Sequence, residues 1–262
     1  MIRYASLILA AAAAALYARE RRSRRNVTRF GAATLETLLD SIEANSPVTG
    51  AHVRRVARYA LIIADSADLD DVQCHDTERV ALFHDIGKLD SALTDIISAP
   101  NKLSPGEWDA VRTHPRRGAD VLKPLDPFYP DLSDGVLSHH ERWDGTGYPR
   151  GLRGRKIPLS ARIVAIADTF DAITHARAYS NPKSLDYAIE LIAKGRGTQF
   201  DPELVDLFLS PPVLEQIEKA MRSAHSPRRS GQKKRNPSKR QRAPDINFRW
   251  RKQSPVPPEP DR

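Results

Sequence analysis

The chain has 262 residues, enough for one domain of ordinary size with appendages, and 40% of them are hydrophobic, which argues against a polytopic membrane protein. Its net charge of +8 is unevenly spread: residues 226 to 252 hold eleven Lys/Arg against the single acid Asp245, a local +10 that leaves the remainder at −2, so the basicity belongs to a tail and does not argue for a nucleic-acid-binding domain. Cys74 is the only cysteine, which excludes an intramolecular disulfide and a cysteine-built zinc cage.

In chain order, an alanine-rich apolar run extends from Tyr4 to Ala18 and is followed by Arg19, Arg21, Arg22, Arg24 and Arg25. It falls short of the roughly 20 residues that comfortably span a bilayer. Only Arg3 precedes it, where a signal peptide would carry its charge. Residues 1 to 25 are read as a short apolar helix with an arginine cluster, a candidate anchor on the cytoplasmic face of the inner membrane, since the arginines would hold the rest of the chain on that side.

Residues 28 to 222 read as an all-α domain. Leu35, Leu38, Leu39 and Ile42 repeat at helical spacing, and Val53, Val56, Ala57, Ala60, Leu61 and Ala64 mark a second buried face. Val80, Ala81 and Phe83 lead a third helix into His84-Asp85. Ser104-Pro105-Gly106-Glu107 has the form of a capping box with proline at the first helical position. Ile163, Val164, Ile166 and Ala167 precede Asp168 on another helix, and Asp201-Pro202-Glu203 opens a last one. From 223 to 262 the chain turns to Ser, Pro, Arg, Lys and Gln, a composition that cannot bury enough apolar surface to order itself. The sharper alternative for this disordered tail is an anionic-surface patch, with Phe248 and Trp250 among Arg249, Arg251 and Lys252.

Of eight histidines, His75, His175 and His225 stand alone and default to structural roles. His52, His84, His114, His139 and His140 lie in polar clusters beside carboxylates or glycines. In Phe83-His84-Asp85-Ile86-Gly87-Lys88 an imidazole and a carboxylate are adjacent, so both can approach one ion from a helix end, and His139-His140-Glu141 repeats the arrangement. Asp168 sits on a strongly apolar helix, where an unpaired carboxylate is costly to bury. Neutral imidazole with carboxylate suits iron, manganese or zinc. Ligands on separate helices point to more than one ion, and two ions some ~3.5–4 Å apart can activate a bridging hydroxide for in-line phosphoryl displacement. Lys88, one turn after His84, is placed to neutralise a phosphate oxygen.

The ordered set Gly50-x-His52-x-x-Arg55-Val56, His84-Asp85-Ile86-Gly87-Lys88, Thr113-His114-Pro115, and the unbroken run from His139-His140-Glu141 to Gly147-Tyr148-Pro149 resembles the HD-GYP family. Ile166-Ala167-Asp168-Thr169-Phe170-Asp171-Ala172 and Gly197-Thr198-Gln199-Phe200-Asp201-Pro202 extend the resemblance, which covers roughly Thr34 to Leu209. It implies an all-helical HD-type bundle with a Gly-Tyr-Pro loop, and hydrolysis of cyclic di-GMP to the linear dinucleotide, sometimes on to GMP. The metal ligands it implies are His52, His84, Asp85, His114, His139, His140 and Asp168, holding iron or manganese. It further implies that Lys88 contacts the scissile phosphate, that Gly147, Tyr148 and Pro149 shape the pocket, and that Arg177 contacts phosphate or guanine.

Three positions depart from the family pattern. Val48 stands where members with three metals carry glutamate, so two ions are expected. Ser46 replaces an aspartate, and Ser180 a basic residue; Glu43, from the same helix, is read as structural or outside the ligand set. The alternatives are a cyclic di-GMP receptor with little turnover and another nucleotide phosphohydrolase of the wider HD superfamily.

Overall fold

The computed structural model describes residues 30–89, 93, 104–175 and 181–225. The chain divides into two compact units, Met1–Leu38 with Arg240–Arg262, and Leu39–Lys239. Of the first, residues 30–38 are described; they are helical, with Leu35 buried and Leu38 half-buried. The second unit carries every candidate site residue, and its opening stretch, residues 39–45, is helical with Leu39 and Ile42 buried.

Helix α1 spans Pro47–Ser66. Ser46 caps it, its hydroxyl accepting from Thr49 N at 3.2 Å, and Pro47 follows in the first turn, where a missing N–H costs nothing. Val53, Val56, Ala57, Ala60 and Ala64 are buried as their spacing requires, but Leu61 is only half-buried, and Tyr59 and Ile63 turn inward instead. Asp70 and Gln73 form a capping box ahead of α2, Asp71–Phe83, which is buried without a break from Thr77 to Phe83, as befits a central helix.

A 3-10 turn, Ile86–Leu89, then leads toward α3, Pro105–Val111. Ser104 N donates to Glu107 at 2.7 Å and Glu107 N donates back to Ser104 Oγ at 3.4 Å, the capping box expected there. The remaining helices are α4 (His114–Leu122), α5 (Leu132–Ser138), α6 (Leu159–Thr174), α7 (Leu185–Lys194), α8 (Pro202–Phe208) and α9 (Pro211–His225). Among the described residues no β-strand forms, only an isolated bridge between Arg196 and Phe200.

The all-α architecture read from the sequence is the one that forms. α1 packs on α2 and α6, α2 also on α5 and α6, and α4 on α5 and the Ile86–Leu89 turn. Tyr59, Phe83, Phe170 and Phe208 are fully buried among these helices, Phe170 meeting Tyr59 and Phe208 edge-on at 5.1 and 5.5 Å between ring centroids. Emptying one such site, as in Phe170→Ala, costs about 3–5 kcal/mol. This aromatic seam fixes α1 against α6, and both helices contribute to the site. No helix among the described residues is long and apolar enough to cross a membrane; the Tyr4 to Ala18 run and the basic tail lie outside the described residues.

Candidate metal centre

Helix ends and helix faces bring the candidate ligands together. His84 caps the C-terminus of α2 with Asp85 next to it, His139 caps α5 with His140 next to it, and His114 opens α4. His52 comes from α1 and Asp168 from α6.

The last carbonyls of a helix lack an intrahelical partner, and ring nitrogens take them up here. His84 Nδ1 donates to Ala81 O at 2.8 Å, His139 Nδ1 to Val136 O at 2.6 Å, and His114 Nδ1 to Val111 O at 2.7 Å. His52 Nδ1 donates to the Asp171 carboxylate at 2.7 Å. A carbonyl or carboxylate oxygen only accepts, so each of these rings carries a proton on Nδ1. When the ring is neutral, the Nε2 lone pair is left for a cation.

These Nε2 atoms stand close to carboxylates. His52 Nε2 is 3.3 Å from Asp168 Oδ1 and 3.8 Å from Asp85 Oδ2, and His84 Nε2 is 3.5 Å from Asp85 Oδ2 and 3.9 Å from Asp168 Oδ1. His84 Nε2 is buried with no hydrogen bond. Donors bound at ~2.1 Å to one ion lie about 3.0–3.4 Å apart along the edges of an octahedron or tetrahedron. The 3.3 Å between His52 and Asp168 falls in that range, and ligand atoms of His52, His84 and Asp168 all lie within 4.8 Å of one another, a group that could hold an ion. Burial disfavours a charged His52, but its hydrogen bonds to Asp168 and Asp171, with the charge of Asp85, outweigh that and raise it to about 9. The carboxylates of Asp168, Asp171 and Asp85 thus favour positive charge at this point.

His114, His139 and His140 form a second group, again with ligand atoms within 4.8 Å of one another. His114 Nε2 and His139 Nε2 are 3.2 Å apart. With both protons on Nδ1, two lone pairs face each other there, and a cation between them relieves the repulsion. Burial, reinforced by neighbouring imidazoles, holds His139 well below its ordinary range and His140 at about 3, so both rings are neutral and able to coordinate at pH 7.

Asp85 lies between the groups. Its Oδ2 faces His52 and His84, and its Oδ1 is 3.4 Å from His114 Nε2. Lys88 Nζ sits on both carboxylate oxygens, at 2.7 and 2.8 Å. Burial pushes the Asp85 carboxyl up, but Lys88 and the surrounding histidines hold it well below the usual carboxylate range. One ionised carboxylate is thus shared by two sets of nitrogen ligands.

The Gly147-Tyr148-Pro149 segment lies beside this centre. Tyr148 stacks on His140 with centroids 4.9 Å apart, and Arg112 lies over the same ring at 5.6 Å. Only glycine fits at 147: a Cβ would lie 2.6 Å from Glu141 Cα and nearer still to Arg142 N. Glu141, buried, anchors the next stretch of loop by accepting from Arg150 N at 2.7 Å and Leu152 N at 3.0 Å.

Val48 is 72% exposed, Glu43 is paired with Arg54, and Ser46 is occupied as the α1 cap. Arg177 and Ser180 lie outside the described residues. Sequence reasoning gave Asp171 and Arg55 no role, and it read Glu141 as a carboxylate that could approach an ion beside His140, whereas its oxygens are taken by the loop N–H groups of Arg150 and Leu152. The available signal for Asp171 was its position three residues after Asp168, on the same side of α6.

The HD domain family model matches residues 36–204. The chain is 38% identical over 187 residues to the cyclic di-GMP phosphodiesterase response regulator RpfG of Xanthomonas campestris pv. campestris, covering 70% of this chain and 49% of that protein. It is 37% identical over 174 residues to the 3'3'-cGAMP-specific phosphodiesterase 2 of Vibrio cholerae, covering 66% of this chain and 33% of that protein. The chain therefore spans between a third and a half of the length of these relatives. Among solved structures it shares its fold with an HDG"Y"P protein from Bdellovibrio bacteriovorus, with a TM-score of 0.52 and 18% identity over 74% of this chain and 64% of that one.

Proposed function

The chain belongs to the HD domain family, and on that premise we propose that it is a metal-dependent phosphodiesterase that hydrolyses cyclic di-GMP to the linear dinucleotide. The observation that carries this reading is Asp85, one buried carboxylate shared between the His52, His84 and Asp168 group and the His114, His139 and His140 group. Each group holds one divalent ion in this proposal, with Asp85 between them. Divalent ions bound there supply Lewis-acid charge and lower the pKa of water. The mixed imidazole and carboxylate set suits Fe(II) or Mn(II), the ions that the HD-GYP resemblance implies. The count is two, because Val48 cannot ligate and Glu43 is engaged by Arg54.

The chain's own residues supply the rest. Lys88 neutralises phosphate charge beside Asp85, Gly147, Tyr148 and Pro149 form a pocket wall behind His140, and Arg177 takes a second phosphate or a guanine. The catalytic domain is residues 28 to 222. The chain works on the cytoplasmic side, with Arg19 to Arg25 and the 226 to 252 tail drawn to an anionic membrane face.

The test is product analysis. The chain, reconstituted with Mn(II) or Fe(II) without oxygen, is incubated separately with cyclic di-GMP and 3'3'-cGAMP, because its relatives bear both names. Linear dinucleotide from cyclic di-GMP supports the reading, and GMP in addition shows a second cleavage. Faster cleavage of 3'3'-cGAMP moves the substrate assignment within the cyclic dinucleotides. Tight binding without product would make the chain a receptor.

A further inference from the structure

The two ligand groups are supported differently. His84, His114 and His139 are oriented by backbone carbonyls of adjacent helical turns, which no side-chain substitution removes. His52 is oriented by a side chain, Asp171.

Asp171 is 1% exposed, and its two oxygens have several partners. Oδ2 accepts from His52 Nδ1 at 2.7 Å and from Arg55 Nη2 at 2.9 Å, while Oδ1 accepts from Arg55 Nε at 2.6 Å and lies 3.1 Å from His175 Nδ1. The forked Arg55 contact fixes the plane of the carboxylate and compensates its buried charge. With its oxygens committed in this way, Asp171 holds the far side of the His52 ring while Asp168, one turn earlier on α6, faces Nε2.

We propose that Asp171 is a positioning residue that sets ion affinity at the His52, His84 and Asp168 group alone. It does so by holding the His52 proton on Nδ1 and keeping Nε2 turned to Asp168. The inference rests on the metal reading above. An asparagine can present an amide N–H to Nδ1 and so allow the proton to move to Nε2, which removes the lone pair. Losing a partner of this kind typically weakens metal binding about 10–100-fold.

The test is calorimetric titration of Mn(II) into the metal-free chain. Two binding events are expected for the wild type. Asp171→Asn should weaken one of them about 10–100-fold and leave the other unchanged. In a His52→Ala background, Asp171→Asn should cause no further loss, because its effect passes through that ring. Weakening of both events, an additional loss in the His52→Ala background, or no change at all would overturn the inference and leave Asp171 a packing residue between α1 and α6. If Asp171→Asn fails to fold, Arg55→Lys takes its place: it keeps the charge but not the fork, and the same outcomes decide. A wild-type chain that takes up no Mn(II) overturns the metal reading and this inference with it, whereas normal uptake that ignores Asp171 overturns the inference alone.

Discussion

Gly87 lies in the Ile86–Leu89 turn, two residues after Asp85, and the turn packs on the start of α4. A Cβ at this position would stand 2.7 Å from Gly118 N and nearer still to the His114 carbonyl oxygen. Both are backbone atoms, so no side chain can swing aside. Ordinary contact begins at 3.4 Å, so in Gly87→Ala the turn and α4 must part by at least ~0.7 Å. That displacement crosses the centre, because Asp85 moves with the turn and His114 with α4, and their Oδ1 to Nε2 separation is 3.4 Å. A misplacement near 1 Å at reacting groups costs on the order of 10² in rate. The overpacking itself costs ~1–3 kcal/mol, which for a domain of this size lowers Tm by about 2–12 °C. The assay pairs turnover of cyclic di-GMP with thermal unfolding, using Gly106→Ala as control, since a Cβ there meets nothing within 4 Å. Wild-type rate and Tm in Gly87→Ala would refute the reasoning, because they would show that the close approach between turn and α4 is not maintained in solution.

Asp85→Asn keeps the shape of the shared side chain but removes its charge, so metal content by elemental analysis and turnover should fall together; full turnover without metal would sink the assignment. Lys88→Ala should lower turnover by about 10²–10³ while metal content holds, and an unchanged rate would reduce Lys88 to the partner of Asp85. The metal-free chain should be most stable near the ordinary imidazole pKa of 6.5. His84, His139 and His140 are depressed by burial, His140 to about 3, so their contribution is complete above pH 6.5 and lost as pH falls from there. His52, raised to about 9, contributes fully below 6.5 and loses that contribution as pH rises through about 9. A scan of Tm against pH in chelator should show this maximum, and a monotonic curve would contradict it. Anionic vesicles should sediment the full chain at low salt and recover less of a chain lacking residues 226 to 262, and equal recovery of both would leave the tail without a membrane role.

Much of the centre was legible because its chemistry is written locally. Covalent adjacency puts His84 beside Asp85 and His139 beside His140, and the end of a helix places each pair where it can reach inward; the full candidate set, with His52, His114 and Asp168, came from the resemblance to the HD-GYP pattern. The Ser104 to Glu107 cap is equally local, a matter of three residues and two hydrogen bonds. Helical spacing identified most of the buried face of α1, though it put Leu61 where Ile63 belongs, because the stripe widens against two neighbours, α2 and α6. What spacing cannot encode is the identity of the group across an interface. Asp171 meets Arg55 and His52 across 116 and 119 residues of chain, and nothing near it in sequence shows that a carboxylate on α6 will grip an imidazole on α1. The same holds for Asp85, whose place between two ligand groups depends on how closely the turn at Gly87 approaches α4. By itself the sequence determined the helices and the imidazole and carboxylate pairs, since both are set by neighbours within a few residues. The division of those ligands into two groups, the carboxylate shared between them and the support behind His52 were decided by tertiary packing alone, because each depends on contacts that exist only once distant helices close on one another.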